Sequence, residues 1–252
     1  MIAYLTEKLI MLEGTYNLRE LGGYRAPNGQ TILKHKLLRS DGLHSLSKAD
    51  EAFLIKYGVR TIIDLRSTRE VEERPDTFMH DPDIQYVHVP FLDRMLNNAS
   101  DMIKMDSLAN VYIDILKNNQ PSIKKVFNII SYNINNGVLF HCAAGKDRTG
   151  VIAMLLLLLC DIEKETIIED YSWSATLMEP VFIHQKQKIA NAGYEVPAFI
   201  FESNKDDARI TLQYIEDNYE NVQNYLVAVG IEKNEQQHLK EALLGGNFNG
   251  QD

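Results

Sequence analysis

The stretch Phe140-His141-Cys142-Ala143-Ala144-Gly145-Lys146-Asp147-Arg148-Thr149-Gly150 holds one of the two cysteines of this 252-residue chain. Before it, Gly137 to Phe140 is a short apolar run; after it, Val151 to Cys160 is a continuous apolar stretch of ten residues. A buried strand followed at once by a buried helix leaves the residues from Ala143 to Arg148 to turn the chain. A tight loop that ends at a helix N-terminus presents backbone N–H groups inward and adds the positive end of the helix dipole. That concavity suits a tetrahedral oxyanion. The same field draws a thiol from its ordinary ~8.5 towards the ~3.5–7.5 found at helix N-termini and beside cations.

Arg148 stands six positions after Cys142, giving Cys-x5-Arg. A guanidinium fork can hold two phosphate oxygens at once, which a lysine cannot. The pair therefore points to attack of a thiolate on phosphorus, with Arg148 and the loop amides of Ala143, Ala144, Gly145, Lys146 and Asp147 holding the equatorial oxygens. Thr149 is placed to donate its hydroxyl to the departing sulfur, and His141 to brace the loop by hydrogen bonding rather than to act as a base. The plain alternative is a small core cysteine beside an ordinary turn. Cys, Gly, Arg and Thr together at a strand-to-helix junction favour chemistry. A nucleotide-binding P-loop does not fit, because Gly145-Lys146 is followed by Asp147 instead of Ser or Thr.

Around this stretch the chain reads as α/β. Ser47 to Tyr57 has a serine cap and helical spacing, and Gly29 to Leu33 follows a Pro27-Asn28-Gly29 turn as half of a hairpin. Val59 to Leu65, Ile84 to Phe91 and Gly137 to Phe140 are continuous apolar runs, which predicts a central sheet flanked by helices. Ser107 to Ile134 is helical with a break at Asn118-Asn119-Gln120-Pro121. Helices are then expected over 162–177, 181–192, 207–218, 220–229 and 232–244, a helical C-terminal half. No repeat or linker divides residues 1–252, so one domain is expected, with 181–206 as a candidate lid or insertion.

The formal charge is −9, which argues against a general nucleic-acid partner while leaving room for a local anion site. The N-terminus lacks the basic-then-apolar layout of a signal peptide, and the longest apolar run falls short of the ~20 residues that span a bilayer. Two cysteines make no disulfide framework, so the expectation is a cytoplasmic protein without stable membrane insertion, with secretion by a route that bypasses a signal peptide left open. His35, His44, His80, His88, His184 and His238 show no metal-ligand spacing, and neither a metal nor another cofactor is expected. Cys160 reads as core and Trp173 as core or lid packing; Met95, Met102 and Met105, beside the Asp93 segment, read as a packed helix face, with an adaptable apolar entrance as the alternative.

The loop resembles that of the Cys-based protein tyrosine phosphatases, His-Cys-x5-Arg-Ser/Thr. It is most similar to a bacterial family with His-Cys-x-x-Gly-Lys-Asp-Arg-Thr-Gly loops that includes secreted phosphatases of mycobacteria and Listeria. Asn17-Leu18-Arg19-Glu20-Leu21-Gly22-Gly23-Tyr24 resembles the family's N-terminal signature, with Glu20 where Asp is common. Leu38-Arg39-Ser40-Asp41 and Ile63-Asp64-Leu65-Arg66-Ser67 resemble its next blocks, and Asn224-Tyr225-Leu226 with Gly230-Ile231 is a weaker match. The resemblance implies a modified dual-specificity phosphatase fold, no metal, and activity on phosphotyrosine. For some relatives it extends to phosphoserine, phosphothreonine or phosphoinositides.

A leaving phenolate needs a proton, and three aspartates compete to supply it. Asp147 lies in the loop, and the resemblance supports it there. Asp93 follows a strand, where ordinary dual-specificity phosphatases carry their acid. Asp64 ends another strand; its alternative is to pair with Arg66 or Arg39 and stiffen the site. Asp147 ranks first and Asp93 second. The Gly145-Lys146 pair also resembles 3-phosphoinositide phosphatases, where a loop lysine meets extra inositol phosphates, although Ala143 replaces a second basic residue common there. The rival functions are a phosphoinositide phosphatase, a non-catalytic module that binds phosphorylated ligands, and a rhodanese or arsenate reductase. The last two enzymes would lack the Arg-Thr-Gly helix entry or require a paired resolving cysteine.

Overall fold

The computed structural model describes residues 7–91 and 107–245. Asp93, the second-ranked acid, and Met95, Met102 and Met105 lie outside the described residues. Five strands form one sheet in the order β1-β2-β5-β3-β4: β1 (Arg19–Glu20), β2 (Leu37–Ser40), β3 (Val59–Asp64), β4 (Gln85–His88) and β5 (Gly137–His141). β1 runs antiparallel to β2, and the other neighbours are parallel. The three apolar runs are thus strands β3, β4 and β5; β3 and β4 are shorter than their runs, and β5 extends one residue further, to His141.

Alternation along the strands divides the core in two, because successive side chains point to opposite faces. Leu38, Ile62 and Leu139 pack with Leu54 and Phe78 on one face. Leu37, Ile63, Val138 and Phe140 pack on the other against helices of the C-terminal half. The expected central sheet flanked by helices is what forms. The helices are α1 (Lys48–Tyr57), α2 (Thr68–Glu73), α3 (Leu108–Asn118), α4 (Gln120–Asn133), α5 (Arg148–Leu159), α6 (Lys164–Asn191), α7 (Lys205–Tyr219), α8 (Val222–Val229) and α9 (Lys233–Leu244). The break between α3 and α4 falls at Asn119, with Pro121 in the first turn of α4 where its missing N–H costs nothing. None of the helices among the described residues is long and apolar enough to cross a membrane.

Four features depart from the sequence reading. β2 carries Arg39 and Ser40 and shows no apolar run, yet it lies inside the sheet between β1 and β5. Residues 29–33 do turn back as half of a hairpin, with Ala26 N–H donating to the Gln30 carbonyl and Ile32 N–H to the Tyr24 carbonyl, but the pairing amounts to one bridge, Arg25 with Thr31, and no strand. α2 was not expected, although Ser67-x-x-Glu70 is a capping box in which each side chain accepts from the other's backbone N–H. The two helices expected over 162–177 and 181–192 are one, α6, with Pro180 inside it. Proline in a helix interior costs ~3 kcal/mol or more. Here Met178 and Phe182, on either side of it, pack with Phe201 from a 3-10 turn (Ala198–Phe201) and hold the helix together.

Candidate active site

In a parallel sheet the loops that leave the carboxyl ends of neighbouring strands share one edge. Register aligns Ser40 of β2 and Asp64 of β3 with His141 of the central strand β5. Cys142 follows directly, and α5 begins at Arg148 with Asp147 at its N-cap. The loop between them makes a turn only glycine can make. Gly145 has φ +66°, and a Cβ there would stand 2.4 Å from the Ser40 carbonyl oxygen. The loop therefore lies directly against the end of β2.

Four consecutive loop carbonyls are taken by donors from the surrounding structure. His141 Nδ1 lies 3.2 Å from Cys142 O, and Gly42 N–H donates to Ala143 O at 3.0 Å. Asn17 Nδ2 donates to Ala144 O at 2.9 Å, and Arg39 Nη2 to Gly145 O at 2.7 Å. In a trans peptide the N–H points opposite to the C=O. Drawing these carbonyls outward turns the N–H groups of Ala143, Ala144, Gly145 and Lys146 the other way. The result is a concave set of donors beside the Cys142 thiol, a built oxyanion cradle. Asp41 orients Asn17 in turn, since its Oδ1 accepts from the Asn17 N–H at 2.9 Å.

Arg148 is bound by a residue that the sequence reading did not single out. Its Nη1 and Nη2 donate to the two Glu70 oxygens at 2.6 and 2.9 Å, while its Nε is buried without a hydrogen-bond partner among the described residues. The fork is thus aimed by Glu70, with Nε left as a donor. Burial would raise the Glu70 carboxyl, but Arg148 and the Ser67 N–H and hydroxyl bring it down to about 2. A group depressed from 4.5 stabilises the fold fully above that pH and loses its contribution as pH falls towards about 2. Glu70→Gln should therefore cost about 1–3 kcal/mol at neutral pH. The deficit in urea unfolding should narrow between about pH 4.5 and about pH 2. The same variant should weaken binding of vanadate, a phosphate mimic, by about tenfold, because the fork loses its aim.

Asp147 is held from two sides. Tyr112 OH donates to its Oδ1 at 2.6 Å, and Lys146 Nζ donates to the same oxygen at 2.8 Å. Tyr171 OH lies 2.7 Å from Tyr112 OH, and since the Tyr112 proton goes to Asp147, Tyr171 is the donor there. Oδ2 makes no hydrogen bond among the described residues, and the side chain is 19% exposed. Lys146 is 1% exposed and committed to Asp147, so its charge is spent inside the loop. Thr149 Oγ1 is buried without a hydrogen-bond partner among the described residues.

Asp64 matches the stiffening alternative. It is fully buried, its oxygens accept from the Arg66 backbone N–H, Nε and Nη2, and Tyr86 OH donates to it at 2.7 Å. Burial opposes its ionisation, yet His141 and Arg66 hold it well below the usual carboxylate range. A second buried centre is Asp170 of α6, which accepts from Arg19 Nε at 2.9 Å, Arg39 Nη1 at 2.6 Å and Tyr24 OH at 2.9 Å. Arg39 reaches the loop as well, so three distant stretches of sequence meet on one carboxylate behind it. Cys160, by contrast, is buried at the end of α5, where burial pushes its thiol up to about 12.

A cleft of about 440 Å³ opens beside Ala143. Met178, Val181 and Gln185 of α6 form part of its wall, facing Tyr16, His44 and Glu70. Met178 and Phe182 also form a small apolar cluster against which Ala144 of the loop packs. The start of segment 181–206 is therefore a helical wall of the cleft.

The profile of the tyrosine phosphatase family matches residues 10–245 of this chain. A tyrosine-protein phosphatase of Nostoc commune is 37% identical over 144 residues, which is 56% of this chain and 49% of that protein. The chain thus spans about half the length of that relative. A triple specificity protein phosphatase of Mycobacterium tuberculosis, PtpB, is 27% identical over 190 residues, 64% of this chain and 67% of that one. Among solved structures, TpbA of P. aeruginosa overlaps 80% of this chain and 90% of its own with a TM-score of 0.41 at 15% identity, too loose to inform the site. With the family profile running from the segment before β1 to the end of α9, and so through every residue of the cradle, the chain belongs to the tyrosine phosphatase family.

Proposed function

We propose that the protein hydrolyses phosphotyrosine through a cysteinyl-phosphate intermediate. The observation that carries this is the set of four loop carbonyls turned outward beside Cys142, with Arg148 aimed across the same loop by Glu70. The Cys142 thiolate attacks phosphorus, the phosphorus–oxygen bond to the leaving group breaks, and the loop N–H groups and Arg148 hold the three equatorial oxygens throughout. Water then attacks the phosphocysteine and releases inorganic phosphate. Thr149 Oγ1, buried and unpaired, supports donation to the departing sulfur.

Asp147 is the proton donor in this reading. Tyr112 and Lys146 fix Oδ1, which orients the carboxyl and leaves Oδ2 to carry the proton to the leaving oxygen. Asp64 is enclosed by Arg66 and Tyr86 and takes no part in proton transfer. Asp147→Asn should lower kcat on phenyl phosphate by about 10²–10³-fold and leave kcat on a substrate with a nearly neutral leaving group, such as a difluoromethylumbelliferyl phosphate, within a few-fold. Equal loss on both would remove Asp147 as the acid.

Phosphotyrosine is favoured over a phosphoinositide as the main substrate. Lys146, which would meet an extra inositol phosphate, is buried and paired. The cleft wall brings Glu13, Asp41, Glu70 and Glu73 near any second phosphate, against Arg66 and Arg74. The α6 wall of the cleft supports a covering role for segment 181–206 over bound substrate. The test is a substrate panel of phosphotyrosine, phosphoserine and phosphothreonine peptides and phosphatidylinositol phosphate vesicles, with acid quench to trap label on Cys142. Phosphotyrosine should have the highest kcat/KM; a leading phosphoinositide would reverse the order, and label absent from Cys142 would end the mechanism.

A further inference from the structure

His141, which immediately precedes Cys142, is fully buried, and both of its ring nitrogens face acceptors. Nδ1 lies 3.2 Å from the Cys142 carbonyl oxygen. A carbonyl only accepts, so Nδ1 carries a proton. Nε2 lies 3.1 Å from Asp76 Oδ2, an ion-pair contact that falls short of hydrogen-bond geometry, and neither atom has a hydrogen-bond partner among the described residues. Asp76 is itself 4% exposed, and its Oδ1 is occupied by the Phe78 N–H at 2.9 Å. A neutral imidazole has one N–H and satisfies one of these two acceptors. An imidazolium satisfies both.

The charges around the ring lead to the same form. Asp64 from β3, Asp76 from the turn after α2, Arg66, Tyr86 from β4 and His44 beyond β2 surround it, with Cys142 next in the chain. Asp64 Oδ2 stands 3.8 Å from Nε2 but already accepts from Arg66 and Tyr86. Two carboxylates against one guanidinium leave one buried negative charge, and an unpaired buried charge is costly. A proton on His141 cancels it. Burial alone would lower the imidazole from 6.5, yet Asp64 and Asp76 outweigh it and leave it raised.

We propose that Asp76 is a positioning residue for the phosphatase loop: it holds His141 as an imidazolium whose Nδ1–H grips the Cys142 carbonyl and fixes the first peptide of the cradle. Removing the Asp76 charge leaves the ring one proton short. The Cys142–Ala143 peptide then loses a charge-assisted anchor, and the N–H of Ala143 loses its aim. The same trio offers a nitrogen and two oxygens to a divalent cation. Arg66 shares the Asp64 oxygens, however, and its positive charge opposes a metal there.

The inference rests on the proposed role of Cys142, and its first test reads the ring without turnover, so the two can fail separately. In nitrogen-15 NMR of the full chain, the His141 ring should keep the imidazolium signature through about pH 7.5. A neutral-ring signature there, or a spectrum changed by EDTA, overturns the proposal. Asp76→Asn keeps an oxygen for the Phe78 N–H and removes the charge. It should raise the pH midpoint of Cys142 alkylation by iodoacetamide by about one unit and lower kcat/KM about tenfold with KM nearly unchanged. Asp76→Asn should have no further effect in a His141→Gln background; additive losses would reduce Asp76 to a turn residue and overturn the proposal.

Discussion

Cys142→Ser should release phosphate from p-nitrophenyl phosphate at about 10⁻⁴ of the unsubstituted rate or less. The size follows from what the substitution removes and what it leaves. A serine hydroxyl is a far weaker nucleophile than a thiolate near neutral pH, and no nitrogen base of the loop is free to take its proton. Lys146 is bound to Asp147, Arg148 is bound to Glu70, and His141 is buried with Nδ1 at the Cys142 carbonyl and Nε2 against Asp76. The four outward carbonyls and their donors do not involve the thiol, so the cradle persists. The variant should still bind a phosphotyrosine peptide with a Kd within about tenfold of the unsubstituted KM, and unfold within about 1 kcal/mol of the parent. A turnover loss together with a loss of binding would mean that the loop had collapsed, and substantial remaining turnover would mean that another group attacks phosphorus. Cys160→Ala is the matched control and should keep the full rate.

The loop and the cysteine at its start were legible in the sequence because they lie in one continuous stretch with a strand before and a helix after. A local pattern can specify a local site. The helices from α3 onward were legible for the same reason, since apolar spacing and caps are properties of neighbouring residues. β2 was not, because its burial is decided at a distance. Arg39 is an unpromising core residue until Asp170, 131 positions on, is brought against it. Glu70 lies 78 positions before Arg148, and nothing near Glu70 announces the arginine it will hold. Its capping box was readable, yet that signal speaks of a helix start and not of a phosphate site. Pro180 misled in the opposite direction: a local helix breaker was overruled by Met178 and Phe182 packing around it. Tyr112, which fixes Asp147, sits on α3 as one more apolar position in an amphipathic pattern. The resemblance to known phosphatases did place Arg19, Arg39 and Asp64 in marked blocks, but that Arg39 grips the loop, that Arg19 shares its carboxylate and that Asp64 holds Arg66 appears only once the sheet is assembled.

Asp170→Asn should cost about 3–5 kcal/mol of stability, the largest loss expected from any isosteric change in this chain. Asp170 is fully buried and is paired with two arginines that are themselves buried, Arg19 and Arg39. Burial opposes its ionisation, but the two guanidiniums hold its carboxyl well below the usual carboxylate range. Asparagine fills the same space with no charge and leaves two buried cations facing each other. Burial and the nearby Arg19 already bring Arg39 down to about 10, so the site has little room to hold both without their partner. For a chain of this size the loss corresponds to a melting temperature lower by roughly 10 °C. The pH dependence supplies a second signature. A carboxyl depressed from 3.8 contributes stability that is complete above that value and disappears as pH falls below it. The parent should therefore lose stability steeply on acidification through about pH 4, and Asp170→Asn should flatten that slope by the share of one proton. Activity should fall in the folded fraction too, because Arg39 Nη2 is the donor that turns the Gly145 carbonyl outward. Urea unfolding at several pH values, with turnover measured where the variant is folded, checks all three. A variant within about 1 kcal/mol of the parent would show that Arg19 and Arg39 find other acceptors, and that Asp170 does not carry the loop.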